Sequence, residues 1–95
     1  MATIFVRHAV ADYDAWKRAF DEEESARSKH GMDGHTLHRD PQDPNVVVIA
    51  LRTDDLSRAQ QYATSDDVRQ VMMKAGVQGA PEIWFTEDIE RKRYS

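Results

Sequence analysis

Six consecutive apolar residues, Val46 to Leu51 (VVVIAL), constrain this chain more than any other feature of it. Four of the six are β-branched, so the run favours a strand, which we place from Asn45 to Thr53. A strand that faces water on one side alternates apolar with polar residues. This one is apolar at every position, so both of its faces need cover.

The flanking sequence supplies the partners. Thr3 to Val10 (TIFVRHAV) is rich in β-branched residues and free of Gly and Pro, and alternation sets Ile4, Val6, His8 and Val10 on one face. Asp12 can cap a helix in which Tyr13, Trp16 and Phe20 recur at helical spacing, running from about Tyr13 to His30 with Gly31 as its stop. Gly34 to Asp40 (GHTLHRD) reads as a strand and Pro41 to Asn45 (PQDPN) as the turn after it. Asp54 or Asp55 can cap a helix carrying Leu56, Ala59 and Ala63. Ser65 can cap another carrying Val68, Val71, Met72 and Ala75, ended by Gly76. Glu82 to Asp88 (EIWFTED), approached through Gly79 and Pro81, reads as a last strand with Ile83 and Phe85 on one face and Trp84 on the other.

The order is therefore β, α, β, β, α, β. With 95 residues there is room for one core, which predicts a single α+β domain over residues 1–95. The expected architecture is ferredoxin-like: a four-stranded antiparallel sheet with the helices on one face. Helices on one side leave the other bare, yet the third strand is apolar on both. A second copy of the sheet is the simplest cover, and predicts a homodimer joined through sheet faces.

Composition excludes several function classes. There is no cysteine, hence no disulfide, thiolate nucleophile or thiolate metal site. The formal net charge is −4 and the one basic cluster, Arg91 to Arg93, stands at a terminus, which argues against a nucleic-acid partner. No apolar run approaches the roughly 20 residues of a membrane helix, and Met1 to Val10 lacks the form of a signal peptide, so no membrane role and a cytoplasmic location are expected.

Three segments carry a resemblance to a known family: VRHAVADYDAWKRAFD (Val6 to Asp21), DPNVVVIALRTDDLSRAQ (Asp43 to Gln60) and SDDVRQVMMKAGVQGAPEIWF (Ser65 to Phe85). Together they resemble the dimeric α/β-barrel proteins related to antibiotic-biosynthesis monooxygenases, over nearly the whole chain. That resemblance implies the ferredoxin-like fold, a homodimer, and a pocket in each protomer between sheet and helices. The wider superfamily includes cofactor-free monooxygenases, polyketide cyclases, haem-degrading enzymes and proteins without demonstrated activity, so fold alone assigns no reaction. Its quinone-forming monooxygenases use an Asn and a Trp near the third strand and an Arg near the last. Here no Trp lies between Asn45 and Thr53 and no Arg between Glu82 and Asp88. The haem-degrading branch uses a His in its second helical region, and Asp54 to Ala75 contains none.

Candidate site residues follow from the inward faces. Tyr13, Trp16, Phe20, Tyr62, Trp84 and Phe85 could wall the pocket or simply fill the core. His8 shares a face with apolar residues and could serve as a general base, with Asp12 orienting it or merely capping the helix. Arg27, seven residues beyond Phe20, falls on the apolar stripe, where a cation needs a partner: Glu23 or Glu24 on the same helix, or an anionic ligand or oxyanion whose developing charge it would stabilise as a catalytic residue. His30, Asp33, His35 and His38 contain metal-ligand types. However, His35 and His38 are three apart on a strand and point to opposite faces, so no metal site is expected. No serine stands in a nucleophile elbow, and no glycine-rich phosphate loop is present, so no cofactor is expected. Two functions remain. One is a cofactor-independent oxygenase or cyclase acting on an aromatic or polyketide-like compound. The other is a non-catalytic dimer that binds a small apolar or aromatic ligand or serves as an accessory subunit.

Overall fold

The computed structural model describes residues 1–95. Four strands, β1 (Ala2–Val10), β2 (Met32–Asp40), β3 (Asp43–Thr53) and β4 (Val77–Glu87), form one antiparallel sheet in the order β2-β3-β1-β4. Helices α1 (Tyr13–Glu22) and α2 (Glu24–Lys29) follow β1, and α3 (Leu56–Ala63) and α4 (Asp66–Lys74) follow β3. This is the ferredoxin-like arrangement, with each helical layer built of two short pieces. No helix is long and apolar enough to cross a membrane.

The caps stand where short polar side chains precede apolar periodicity. Asp12 Oδ1 accepts from the Asp14 N–H, Asp55 Oδ1 from Arg58 N–H and Ser65 Oγ from Val68 N–H. Gly31 follows α2 at φ +92°, a left-handed position that a side chain would strain.

Strand β2 begins at Met32 rather than Gly34, and three other boundaries differ from the sequence expectation for a physical reason. The first helix does not run unbroken to His30. The Phe20 carbonyl, which a continuous helix would give to Glu24 N–H, accepts from Glu23 N–H and from the Arg27 guanidinium, and the helix breaks at Glu23. The third strand begins at Asp43, because the turn needs only Pro41 and Gln42 and Pro44 lies beyond the reach of β1. The last strand begins at Val77. Gly79 and Pro81, read as an approach to it, form a bulge inside it: Arg7 pairs with Glu82 and Ala9 with Gln78, leaving three residues opposite His8. Since β4 is an edge strand, the missing Pro81 N–H costs the ladder little.

The core lies between the sheet and the helices. Ile4, Val6 and Val10 of β1 and Val47, Ile49 and Leu51 of β3 are buried against Trp16, Phe20, Met32 and Ala59. Within one chain the helices cover only one face of β3. Val47, Ile49 and Leu51 are buried, whereas Val46, Val48 and Ala50 on the reverse face are only half-buried. Phe5 and Trp84, cross-strand partners on that reverse face, are 37% and 47% exposed.

Candidate functional site

Helix α1 lays a row of rings along the inner face of the sheet because Tyr13, Trp16 and Phe20 recur every three to four residues. Trp16 and Phe20 stack with centroids 5.0 Å apart and planes 25° apart, and Tyr13 tilts against Trp16 at 5.9 Å. The His8 imidazole meets the Trp16 ring edge-on at 5.6 Å. At the other end of this chain of contacts the Arg27 guanidinium lies 3.6 Å above the Phe20 ring.

Beside this row is a cavity between sheet and helices that offers about 90 Å³ to the centres of water-sized molecules. Val6, His8, Ile49, Leu51 and Ile83 line it from the sheet, and Met32 from the start of β2. Trp16, Ala19, Phe20, Glu23, Arg27, Tyr62, Ala63, Val68, Val71, Met72 and Ala75 line it from the helices and their ends. Apart from His8, Glu23 and Arg27 the lining is hydrophobic.

His8 and Arg27 are the informative members. They are only 5% and 8% exposed, and each has a buried nitrogen without a hydrogen-bond partner, His8 Nδ1 and Arg27 Nη2. Native interiors rarely leave such atoms unpaired, since each costs about 1–3 kcal/mol. Burial pushes the His8 imidazole below its ordinary pKa and favours the neutral ring. Burial also lowers Arg27, against the opposing pull of Tyr62, Glu24, Asp21 and Glu23, and a guanidinium stays protonated nonetheless. Tyr62 is raised, first by burial and then by Glu23.

The expected carboxylate partner of Arg27 is corrected. The ion pairs of the chain are Arg7 with Glu82, Lys17 with Asp21 and Arg69 with Asp66; neither Glu23 nor Glu24 reaches Arg27. Instead Arg27 Nη1 donates to the Phe20 carbonyl at 2.7 Å, supplying the cation that the last turn of α1 lacks. Asp12 is occupied as a helix cap, so it does not orient His8.

Of the aromatic candidates, Trp16, Phe20 and Tyr62 line the cavity together with His8 and Arg27. Tyr13 and Phe85 pack against the same core but lie outside the lining. Tyr13 instead carries the Arg39 guanidinium 4.5 Å above its ring. Trp84 is a correction: it pairs with Phe5 on the reverse face and cannot wall this cavity, because strand alternation turns it away from Ile83 and Phe85. The histidines are dispersed. His30 stacks on Tyr62 at 4.3 Å and donates through Nδ1 to the Ala26 carbonyl, His35 meets the Phe20 ring edge-on at 4.9 Å, and His38 contacts Thr36 Oγ1.

Sequence reasoning missed the contribution of α4. Val68, Val71, Met72 and Ala75 were legible as an apolar stripe, but only the placement of the helix across the inner face turns that stripe into a cavity wall. Glu23 was also missed as a lining residue, since the helix break that turns it inward leaves no local signal.

No protein-family model matches the chain, and no curated protein matches it. Solved structures do. A Bordetella bronchiseptica protein provisionally named an antibiotic biosynthesis monooxygenase superposes with a TM-score of 0.77 at 10% identity, over 94% of this chain and 97% of that one. A variant of SnoaB, a cofactor-independent oxygenase from Streptomyces nogalater, gives a TM-score of 0.74 at 15% identity over 95% and 94%. A conserved protein from Methanosarcina mazei gives 0.70 at 11% identity over 93% and 92%. At such identities the likeness is one of fold, and it bears out the ferredoxin-like architecture and the structural resemblance to the antibiotic-biosynthesis monooxygenases.

Proposed function

We propose that this protein is a homodimer that binds a small aromatic or polyketide-like molecule in the cavity between sheet and helices. On the catalytic reading it acts on that molecule as a cofactor-independent oxygenase or cyclase. One observation carries the proposal: two nearly buried polar side chains, His8 and Arg27, each with an unpartnered nitrogen, line one apolar cavity. Apolar walls with a few unpaired polar groups are the ordinary form of a ligand site. A neutral imidazole can accept the proton of a phenol or enol, the O–H electron pair remaining on oxygen as negative charge, and a guanidinium can stabilise that charge. For an oxygenase the oxidant is dioxygen: a CH₂ of the substrate becomes C=O, one oxygen atom entering the substrate and the other leaving as water with the two displaced hydrogens, all four electrons coming from the substrate.

The half-buried reverse face, with Phe5, Val46, Val48, Ala50 and Trp84, supports the homodimer, since a second sheet would cover it. The likeness to SnoaB supports the oxygenase class at the level of fold.

A second reading, a non-catalytic ligand-binding or accessory dimer, is favoured by one specific observation. His8 has no carboxylate to hold its ring, because Asp12 is engaged in capping α1. Native mass spectrometry on the protein purified gently from its own host tests both binding and assembly. A dimer with retained small-molecule mass supports the proposal, and a bare monomer refutes it. The retained compound is then assayed for oxygen consumption or cyclisation. A folded His8→Ala protein with undiminished turnover would remove His8 as base and leave the binding reading.

A further inference from the structure

Two charged groups of opposite sign, Arg27 and Glu23, line this cavity without pairing. Arg27 is cationic at any physiological pH, 8% exposed, and satisfied only by one backbone carbonyl at Nη1. No carboxylate stands within 4.0 Å of it. A neutral carbonyl group on a ligand could satisfy Nη2 but not the charge, whereas a carboxylate supplies both.

Shape and size narrow the choice further. Trp16 and Phe20, stacked 25° from parallel, present aromatic surface to the cavity. A volume of about 90 Å³ is smaller than the ~150 Å³ apolar cavity that holds a benzene. That admits one ring at most and is too little for a fused multi-ring compound.

We infer that the cavity selects a single-ring aromatic carboxylic acid, its carboxylate on Arg27 Nη2 and its ring against Trp16 and Phe20. This rests on the reading of the cavity as a ligand site and adds the ligand's charge and size. Glu23 is the competing anion: its carboxylate lines the same cavity without pairing with Arg27 and repels an incoming acid.

The test is calorimetric titration of the full chain with benzoate, with its neutral isostere benzamide, and with the neutral two-ring 1-naphthol. Benzoate should bind at least about tenfold more tightly than benzamide, the difference a charge-assisted hydrogen bond makes. Glu23→Gln should tighten benzoate and leave benzamide unchanged, and in folded Arg27→Gln the preference should vanish. The benzoate and benzamide comparison on the unmodified protein does not depend on either variant folding. Equal binding of benzoate and benzamide overturns the charge assignment while the cavity remains a ligand site. Binding of 1-naphthol in preference to both overturns the size assignment. Failure of all three probes at millimolar concentration overturns the ligand-site reading together with the inference.

Discussion

Arg27 lays its guanidinium 3.6 Å over the Phe20 ring while donating Nη1 to the carbonyl oxygen of that same residue. One side chain thus ends α1, closes the row of rings, and leaves its second nitrogen buried without a partner. Structural and functional roles are superposed in it, and substitutions can separate them.

Replacing Arg27 removes a charge-assisted hydrogen bond and a stacking contact, together worth about 2–4 kcal/mol, but also relieves an orphaned nitrogen that costs about 1–3 kcal/mol. Arg27→Met keeps most of the packing, so its net loss should be under about 1 kcal/mol. Arg27→Ala adds a cavity and should lose about 2–3 kcal/mol. Urea unfolding of the two variants reads the difference directly. Equal losses would mean that packing of the Arg27 stem contributes nothing.

The pH dependence of stability follows from His8. Its folded pKa lies below the ordinary value of 6.5 because burial penalises the charged ring, so in acid the unfolded chain binds the proton first. The stability conferred by the neutral ring is complete above the unfolded value and declines as pH falls below 6.5 towards the folded pKa. His35, also lowered by burial and by the neighbouring Arg27, adds in the same direction. Thermal melts in this window should show a loss that His8→Gln reduces. An identical slope in the variant would show that His8 is not buried neutral.

The reverse face should respond to charge. Trp84 is 47% exposed and partners Phe5 across the β1–β4 ladder, so Trp84→Glu spares the fold of one chain. As a large ring on the proposed dimer face it should behave as a hot spot, and its loss should raise the dimer dissociation constant by at least about a hundredfold. Sedimentation velocity of both proteins measures this, and a Trp84→Glu dimer as tight as the unmodified one would place the interface elsewhere.

Thr53 ties three elements together. It is fully buried, its Oγ1 donates to the Gly31 carbonyl at 2.6 Å, and it accepts from Asp55 N–H at 3.0 Å. Thr53→Val keeps the shape but strands both backbone groups, and should cost about 1–3 kcal/mol. Denaturant midpoints check it. A neutral outcome would mean that water replaces the hydroxyl.

How much of this was legible beforehand depends on the range of the signal. Caps, helix periodicity and strand alternation act within a few residues, so Asp12, Asp55 and Ser65 are readable as caps, Trp16 and Phe20 as a helix face, and His8 as an inward residue. The burial of Arg27 was readable too, since seven residues from Phe20 return to the same side even across the break at Glu23. The identity of its partner was not. Glu23 and Glu24 are its sequence neighbours, yet the Phe20 carbonyl stands closer because the break in the helix turns that group toward the guanidinium.

By itself, then, the chain's order of residues determined the element order, the antiparallel ferredoxin-like sheet and which side chains face inward, because each of these follows from local periodicity and burial of apolar surface. Only the tertiary structure decided which inward residues meet. It set the bulge of Gly79 to Pro81 opposite His8 and brought α4 to the cavity that the rings of α1 also line. It also left His8 Nδ1 and Arg27 Nη2 without partners. An unsatisfied atom is a property of everything packed around it, and that is settled only when elements distant in the chain come together.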